Sequence, residues 1–213
     1  GSGIMNPVLH GYEFSVYCRI VSMICHEKGI ELEWVEVNPF DDTTPESYET
    51  LHPFRRVPVL QHDDFTLYET GAISRYLDEN FPGPSLQPKN PRHRARMAQT
   101  ISIVDAYVYW PLVRQVFSHR VFAPRFGEPS DEDAIAAGLA TSKGVLAALE
   151  DLASGDAGII SAQVTLADFH LVAMIDYFVM ADEGAAMLAR YEKLSAWWDG
   201  IRARDSVIQT APL

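Results

Sequence analysis

Three short stretches carry residues whose types and spacing suit chemistry. Ser15 stands at a helix N-cap position, ahead of Ile20, Met23 and Ile24 at helical spacing. A serine hydroxyl there can accept from the helix backbone through one lone pair and still donate its proton to an anion; the alternative is a serine that caps and does nothing more. Phe54-Arg55-Arg56-Val57-Pro58-Val59-Leu60 is a strand-like apolar run led by a proline. Proline cannot donate to a sheet ladder, so it belongs at a strand's first residue or on an edge. An X-Pro bond at this place tolerates the cis form, which would turn the Val57 N–H and C=O sideways, open to an extended, peptide-like ligand. The plainer alternative is a trans proline that opens an edge strand. Glu69-Thr70 starts a further helix, with a carboxylate and a hydroxyl at its positive end.

The elements that must position these residues follow from periodicity. Val8-Leu9-His10 reads as a first strand, Ser15 to Gly29 as a helix with Gly29 at its C′ position, and Leu32 to Val37 as a second strand. The mixed apolar phase of that second strand implies two partly covered faces or an edge. Asp41-Asp42-Thr43-Thr44-Pro45 suggests another helix start. Val59-Leu60 and Phe65 to Tyr68 are close enough for an antiparallel hairpin, and the helix from Glu69 places Ile73, Tyr76, Leu77 and Phe81 on one face. Pro82, Pro84, Pro88 and Pro91 exclude helix or central strand between them. Everything after Arg92 reads as helix, with a kink or break expected at Pro111, an acidic helix start at Ser130 to Asp133, and a last amphipathic helix from Tyr191 to Arg204. Thr165-Leu166-Ala167-Asp168 is a capping box with Asp in the Glu position, which gives Asp168 a folding role rather than a catalytic one.

Composition narrows the function. A net charge of −12 argues against nucleic acid, which needs a basic face. No apolar run approaches a membrane span. No Cys-x-x-Cys, His-x-x-x-His or glycine-rich phosphate loop occurs, so no metal is expected. Cys18 and Cys25 lie seven residues apart on the first helix, about 10.5 Å along its axis, too far to bridge. Free thiols suit a reducing, cytoplasmic setting.

Four stretches in this order resemble the cytosolic glutathione transferases of the serine type, bacterial-like in character: Gly11-Tyr12-Glu13-Phe14-Ser15, His26-Glu27-Lys28-Gly29-Ile30, Arg56-Val57-Pro58-Val59-Leu60, and Glu69-Thr70-Gly71-Ala72-Ile73-Ser74-Arg75-Tyr76-Leu77. The resemblance implies an α/β thioredoxin-like domain (βαβαββα) over residues 5–81, a linker over 82–91 and an all-α domain over 92–213. It implies glutathione as co-substrate, a small electrophile as second substrate and a homodimer. Glu69 would meet the glutamyl ammonium and Thr70 the glutamyl carboxylate. The Val57 main chain before Pro58 would pair with the cysteinyl backbone, and Arg56 would hold the glycyl carboxylate. Asn and Gly are usual at the places of His52 and Arg55, which leaves the contact of Arg55 open.

On this resemblance Ser15 is the expected catalytic group, holding the glutathione sulfur as thiolate. Tyr12 is a rival donor. Ser15-Val16-Tyr17-Cys18 has the spacing of the redox Cys-x-x-Cys of related proteins, with serine in the nucleophilic position. Tyr12, Tyr107, Trp110 and Phe117 are expected to line the electrophile pocket, though an aromatic run on a helix is also how a core is built. Asp105 would reach the glutamyl end across a dimer interface, or simply be solvated. Two other functions stay open: a non-catalytic binding or scaffold protein on the same fold, and a glutathione-dependent thiol oxidoreductase or peroxidase working through Cys18.

Overall fold

In the computed structural model, which describes residues 5–213, the first half of the chain builds a four-stranded sheet of order β2-β1-β3-β4. The strands are β1 (Val8–Gly11), β2 (Glu33–Glu36), β3 (Val59–His62) and β4 (Phe65–Tyr68). β1 runs parallel to β2 and antiparallel to β3, and β3–β4 is the expected hairpin. β2 lies at the edge and is exposed along its whole length, which explains its mixed apolar phase.

Helix α1 (Val16–Lys28) connects β1 to β2 and packs on α2 (Thr70–Asn80). Its ends are those the sequence marks. Ser15 Oγ accepts from the Cys18 N–H at 3.2 Å. Gly29 takes φ +67°, where a side chain is disfavoured, and its N–H closes on the last carbonyls. Cys18, Ile20, Val21, Met23 and Ile24 are fully buried beside Leu9, Leu60, Ile73 and Leu77. Both cysteines are buried and unbridged. The helix expected after Asp41 is only a five-residue 3-10 turn, Glu46–Thr50. Tyr48 is its one buried residue, so the turn has too little apolar face to hold a longer helix in place.

Residues up to Ser85 form one compact unit together with Asp205–Leu213, and Leu86–Arg204 form the other. The sequence reading assigned 92–213 as a whole to the helical domain. The last nine residues instead join the first unit, because the buried Arg19 guanidinium donates to the Val207 carbonyl at 2.8 Å and to Thr210 Oγ1 at 3.3 Å.

The second unit contains α3 (Pro91–Ile103), a π-type helix (Val104–Phe122), α4 (Ala123–Arg125), α5 (Glu132–Leu152), α6 (Leu166–Phe178), α7 (Asp182–Leu188) and α8 (Glu192–Ile201). The chain does not break at Pro111. In an α-helix a proline ring collides with the carbonyl four residues back; here the winding is wider, as the Ala123 N–H donating to the Ser118 carbonyl shows, and it carries Pro111 through. The expected terminal helix from Tyr191 to Arg204 is shorter, and α9 (Asp205–Gln209) follows it.

At the heart of this unit lies α6, buried on nearly every side. Its capping box is complete. Asp168 is fully buried and accepts from the Thr165 N–H at 2.8 Å, from the Ile159 N–H at 2.7 Å and from the Trp197 indole N–H at 2.8 Å. The carboxylate therefore joins the start of α6, the loop before it and α8, which is a folding role.

Candidate glutathione site

Ser15, Val57 and Glu69 are distant in sequence, and the strand register brings them to one end of the sheet. Gly11 pairs with Glu36, His10 with Val59, and Val59 with Tyr68. The chain therefore leaves β1, β2 and β4, and enters β3, at the same end. Tyr12 to Ser15, Val37 to Phe40, Arg56 to Pro58 and Glu69-Thr70 all emerge there. So do the N-termini of α1 and α2, whose free N–H groups and dipoles favour an anion.

Ser15 is half-buried and caps α1 through an oxygen lone pair, a bond that does not use its proton, and its hydroxyl also meets the Cys18 side chain. Burial, with Glu13 and Glu36 adding, raises the Tyr12 phenol above its ordinary value and keeps it neutral. Tyr12 stands edge-on to Phe14 at 5.6 Å and to Phe40 at 6.0 Å, an aromatic cluster flanking Ser15. Cys18 is fully buried, and burial pushes its thiol up to about 11.

The Val57–Pro58 peptide is cis. Pro58 is buried, Val57 half-buried, and Arg56 exposed. The neighbouring Arg55 does something else. It takes φ +54°, where glycine is more at ease, and its guanidinium reaches the Thr44 carbonyl at 3.0 Å and Glu49 at 3.4 Å. It thereby braces the 3-10 turn, and the contact that the sequence left open is a structural one. Tyr48 adds to this brace, donating its hydroxyl to the Arg56 carbonyl at 2.6 Å.

Glu69 has φ +77°, an unfavourable conformation for a side-chain-bearing residue that costs about 1–3 kcal/mol and persists where surroundings impose it. Its exposed carboxylate sits at the start of α2, whose N-terminus has no side-chain cap. Thr70 is the first residue of that helix and largely buried.

In the second unit Tyr107 and Trp110 are exposed, at 63% and 59%, and the Arg114 guanidinium lies 5.4 Å over the Trp110 ring. Phe117 differs from them: it is buried and stacks on Tyr177 at 3.8 Å, a core position. Asp105 is exposed. Among the described residues no three metal-ligating side chains cluster, and no helix is long and apolar enough to cross a membrane.

The sequence reading did not single out Phe14, Phe40, Tyr48 or His52 as site residues. Tyr48 was legible as the lone aromatic in a polar segment. His52 gave a signal too, standing where the resembling family has asparagine. Its ring is buried, its Nδ1 accepts from the Phe54 N–H at 3.1 Å, and it lies 4.5 Å from the Tyr68 ring.

Comparison with known proteins gives the family. Residues 9–85 match the glutathione S-transferase N-terminal domain, and residues 109–205 the C-terminal domain. Glutathione S-transferase F10 of Arabidopsis thaliana is 32% identical over 182 residues, 84% of each chain. Glutathione S-transferase F13 of the same plant is 29% identical over 208 residues, 96% of this chain and 94% of the relative. The crystal structure of glutathione transferase F7 from Populus trichocarpa superposes with a TM-score of 0.83 at 24% identity, covering 96% of this chain and 97% of that one, a likeness of fold. With both domains present in order and relatives matched along most of their length, the chain belongs to the cytosolic glutathione S-transferase family, transferases whose co-substrate is glutathione.

Proposed function

We propose that this protein binds glutathione at the shared end of the sheet, holds its sulfur as thiolate through the Ser15 hydroxyl, and transfers it to a small electrophile. The observation that carries this reading is the Ser15 hydroxyl, which caps through a lone pair rather than its proton, at a helix N-terminus beside the aromatic cluster of Tyr12, Phe14 and Phe40. The exposed Arg56 fork suits the glycyl carboxylate. The Val57 main chain pairs with the cysteinyl backbone. Glu69 accepts from the glutamyl ammonium, while Thr70 and the uncapped N–H groups of α2 take the glutamyl carboxylate.

A hydrogen bond to a charged sulfur contributes about 1.5–3 kcal/mol. At 1.36 kcal/mol per pKa unit, that brings a thiol from ~8.5 toward 7. The thiol proton leaves to water. The thiolate lone pair then forms the C–S bond. In substitution the leaving group departs with its electron pair; in addition the resulting carbanion takes a proton from solvent. Family membership and the unbridged cysteines extend the reading to a homodimer at work in the cytoplasm. Tyr107 and Trp110 keep their assignment to the electrophile. The buried, weakly acidic Cys18 speaks against dithiol chemistry.

The test is the ultraviolet thiolate absorbance of bound glutathione, followed against pH. Ser15→Ala should raise the pKa of the bound thiol by about 1–2 units. A bound thiol whose pKa is the same in wild type and Ser15→Ala overturns the role of Ser15, and a rise in Tyr12→Phe instead would transfer that role to Tyr12.

A further inference from the structure

The two segments that would grip glutathione, Arg56-Val57 and Glu69-Thr70, enter and leave different strands, and one buried side chain touches the residues that lead into each. His52 accepts the Phe54 N–H on Nδ1 at 3.1 Å, and its ring lies at 4.5 Å and 35° on Tyr68, the residue before Glu69. Phe54 completes the cluster, 5.9 Å from His52 and 6.3 Å from Tyr68. The His52 backbone is held on both sides: its N–H donates to the Tyr48 carbonyl at 3.0 Å, and its carbonyl accepts from the Arg55 N–H at 3.0 Å. With the backbone so held, Nδ1 is the ring nitrogen that meets the Phe54 N–H.

We propose that His52, as the neutral imidazole, is a positioning residue that ties the Phe54–Val57 segment to the Tyr68–Thr70 segment, and that its protonation weakens glutathione binding. This rests on the glutathione reading of the site. A neutral imidazole has one acceptor and one donor, so the Nδ1 bond puts the proton on Nε2. Adding a second proton places an N–H on Nδ1 against the Phe54 N–H. Donor then faces donor, and the tie between the segments is lost.

The charged groups around the ring are Glu69 at the start of α2 and Arg56 on the strand-entry loop, with the Tyr68 phenol from β4 packed on its face. Burial, the largest influence, lowers the His52 pKa below 6.5; Glu69 opposes and Arg56 reinforces this. The ring is therefore neutral at pH 7.5 and charges only on the acid side. Because the binding-competent state is the neutral one, affinity is full above that pKa and falls as pH drops through it.

The probe is S-methylglutathione, whose sulfur carries no titrating proton, bound to the full chain in calorimetry between pH 5 and 8. Wild type should lose affinity as pH falls, by at most on the order of 5-fold for one hydrogen bond once the ring is charged. In His52→Asn the amide oxygen can accept from the N–H two residues on, as in an Asx turn, without titrating, so its dissociation constant should be flat across the range. His52→Phe keeps a ring on Tyr68 but has no acceptor; its dissociation constant should be weak and equally flat. A flat wild-type profile, or an acid-side loss that persists in His52→Asn, overturns the inference. Absence of any binding heat from wild type at pH 8 overturns the glutathione reading instead.

Discussion

Replacing Asp168 separates a folding role from a chemical one by its size. Three N–H groups converge on this carboxylate: Ile159 and Trp197 on Oδ1, and Thr165 on Oδ2, all within 2.8 Å. Asp168→Ala leaves all three without an acceptor in a site closed to water. Each unsatisfied buried donor costs about 1–3 kcal/mol. The three share one partner and will not add fully, so a loss of about 4–6 kcal/mol is expected. That is comparable to the whole stability of a marginal domain. Asp168→Asn keeps one oxygen for Ile159 and Trp197 but turns an amide N–H₂ toward the Thr165 N–H, so about 1–3 kcal/mol is lost. Thr165→Ala removes only the hydroxyl that accepts the Ala167 N–H at 3.2 Å, a cap of about 1 kcal/mol. Urea unfolding followed by tryptophan fluorescence reads the series, since Trp197 is itself a partner. The expected order of loss is Ala, then Asn, then the threonine variant. Equal losses for Asp168→Ala and Asp168→Asn, or a folded Asp168→Ala with normal stability and no transfer activity, would refute the reasoning.

Two further outcomes follow from buried groups in the first unit. Cys18 is fully buried, with its thiol pushed up to about 11. It should resist iodoacetamide at pH 8 in the native state, and Cys18→Ala should keep transferase activity; rapid alkylation or an inactive, folded variant would restore the thiol reading. Lys28 and Asp78 form an ion pair at 3.1 Å with side chains 1% and 2% exposed, and Lys28 also donates to the Pro84 carbonyl. Lys28→Met should cost about 3–5 kcal/mol by removing the charge that faces a buried carboxylate, whereas Lys28→Met with Asp78→Leu should recover much of it. Thermal unfolding of the single and double variants decides this.

Local rules made much of the chain legible. Ser15 and Gly29 bound α1, and Thr165 with Asp168 starts α6, because caps act through bonds a few residues long. The β3–β4 hairpin is equally local. Where local signals were followed too literally, tertiary packing overruled them. Asp41 to Pro45 leads only into a short 3-10 helix, since only Tyr48 has a core to enter. Pro111 ends nothing, since the helix around it is wound wider. Phe117, spaced like the exposed Tyr107 and Trp110, turns inward onto Tyr177.

The sequence alone pointed to the family, to the order of elements and to the groups proposed to meet glutathione, because residue types and short spacings set propensity, capping and hydrogen-bonding capacity. Only the tertiary structure decided that α9 returns to the first unit through Arg19, that Arg55 braces a turn, and that the His52 ring packs on Tyr68, sixteen residues along the chain. Those outcomes depend on strand register and on which side chains meet across it, and a contact between distant residues leaves no local spacing to read.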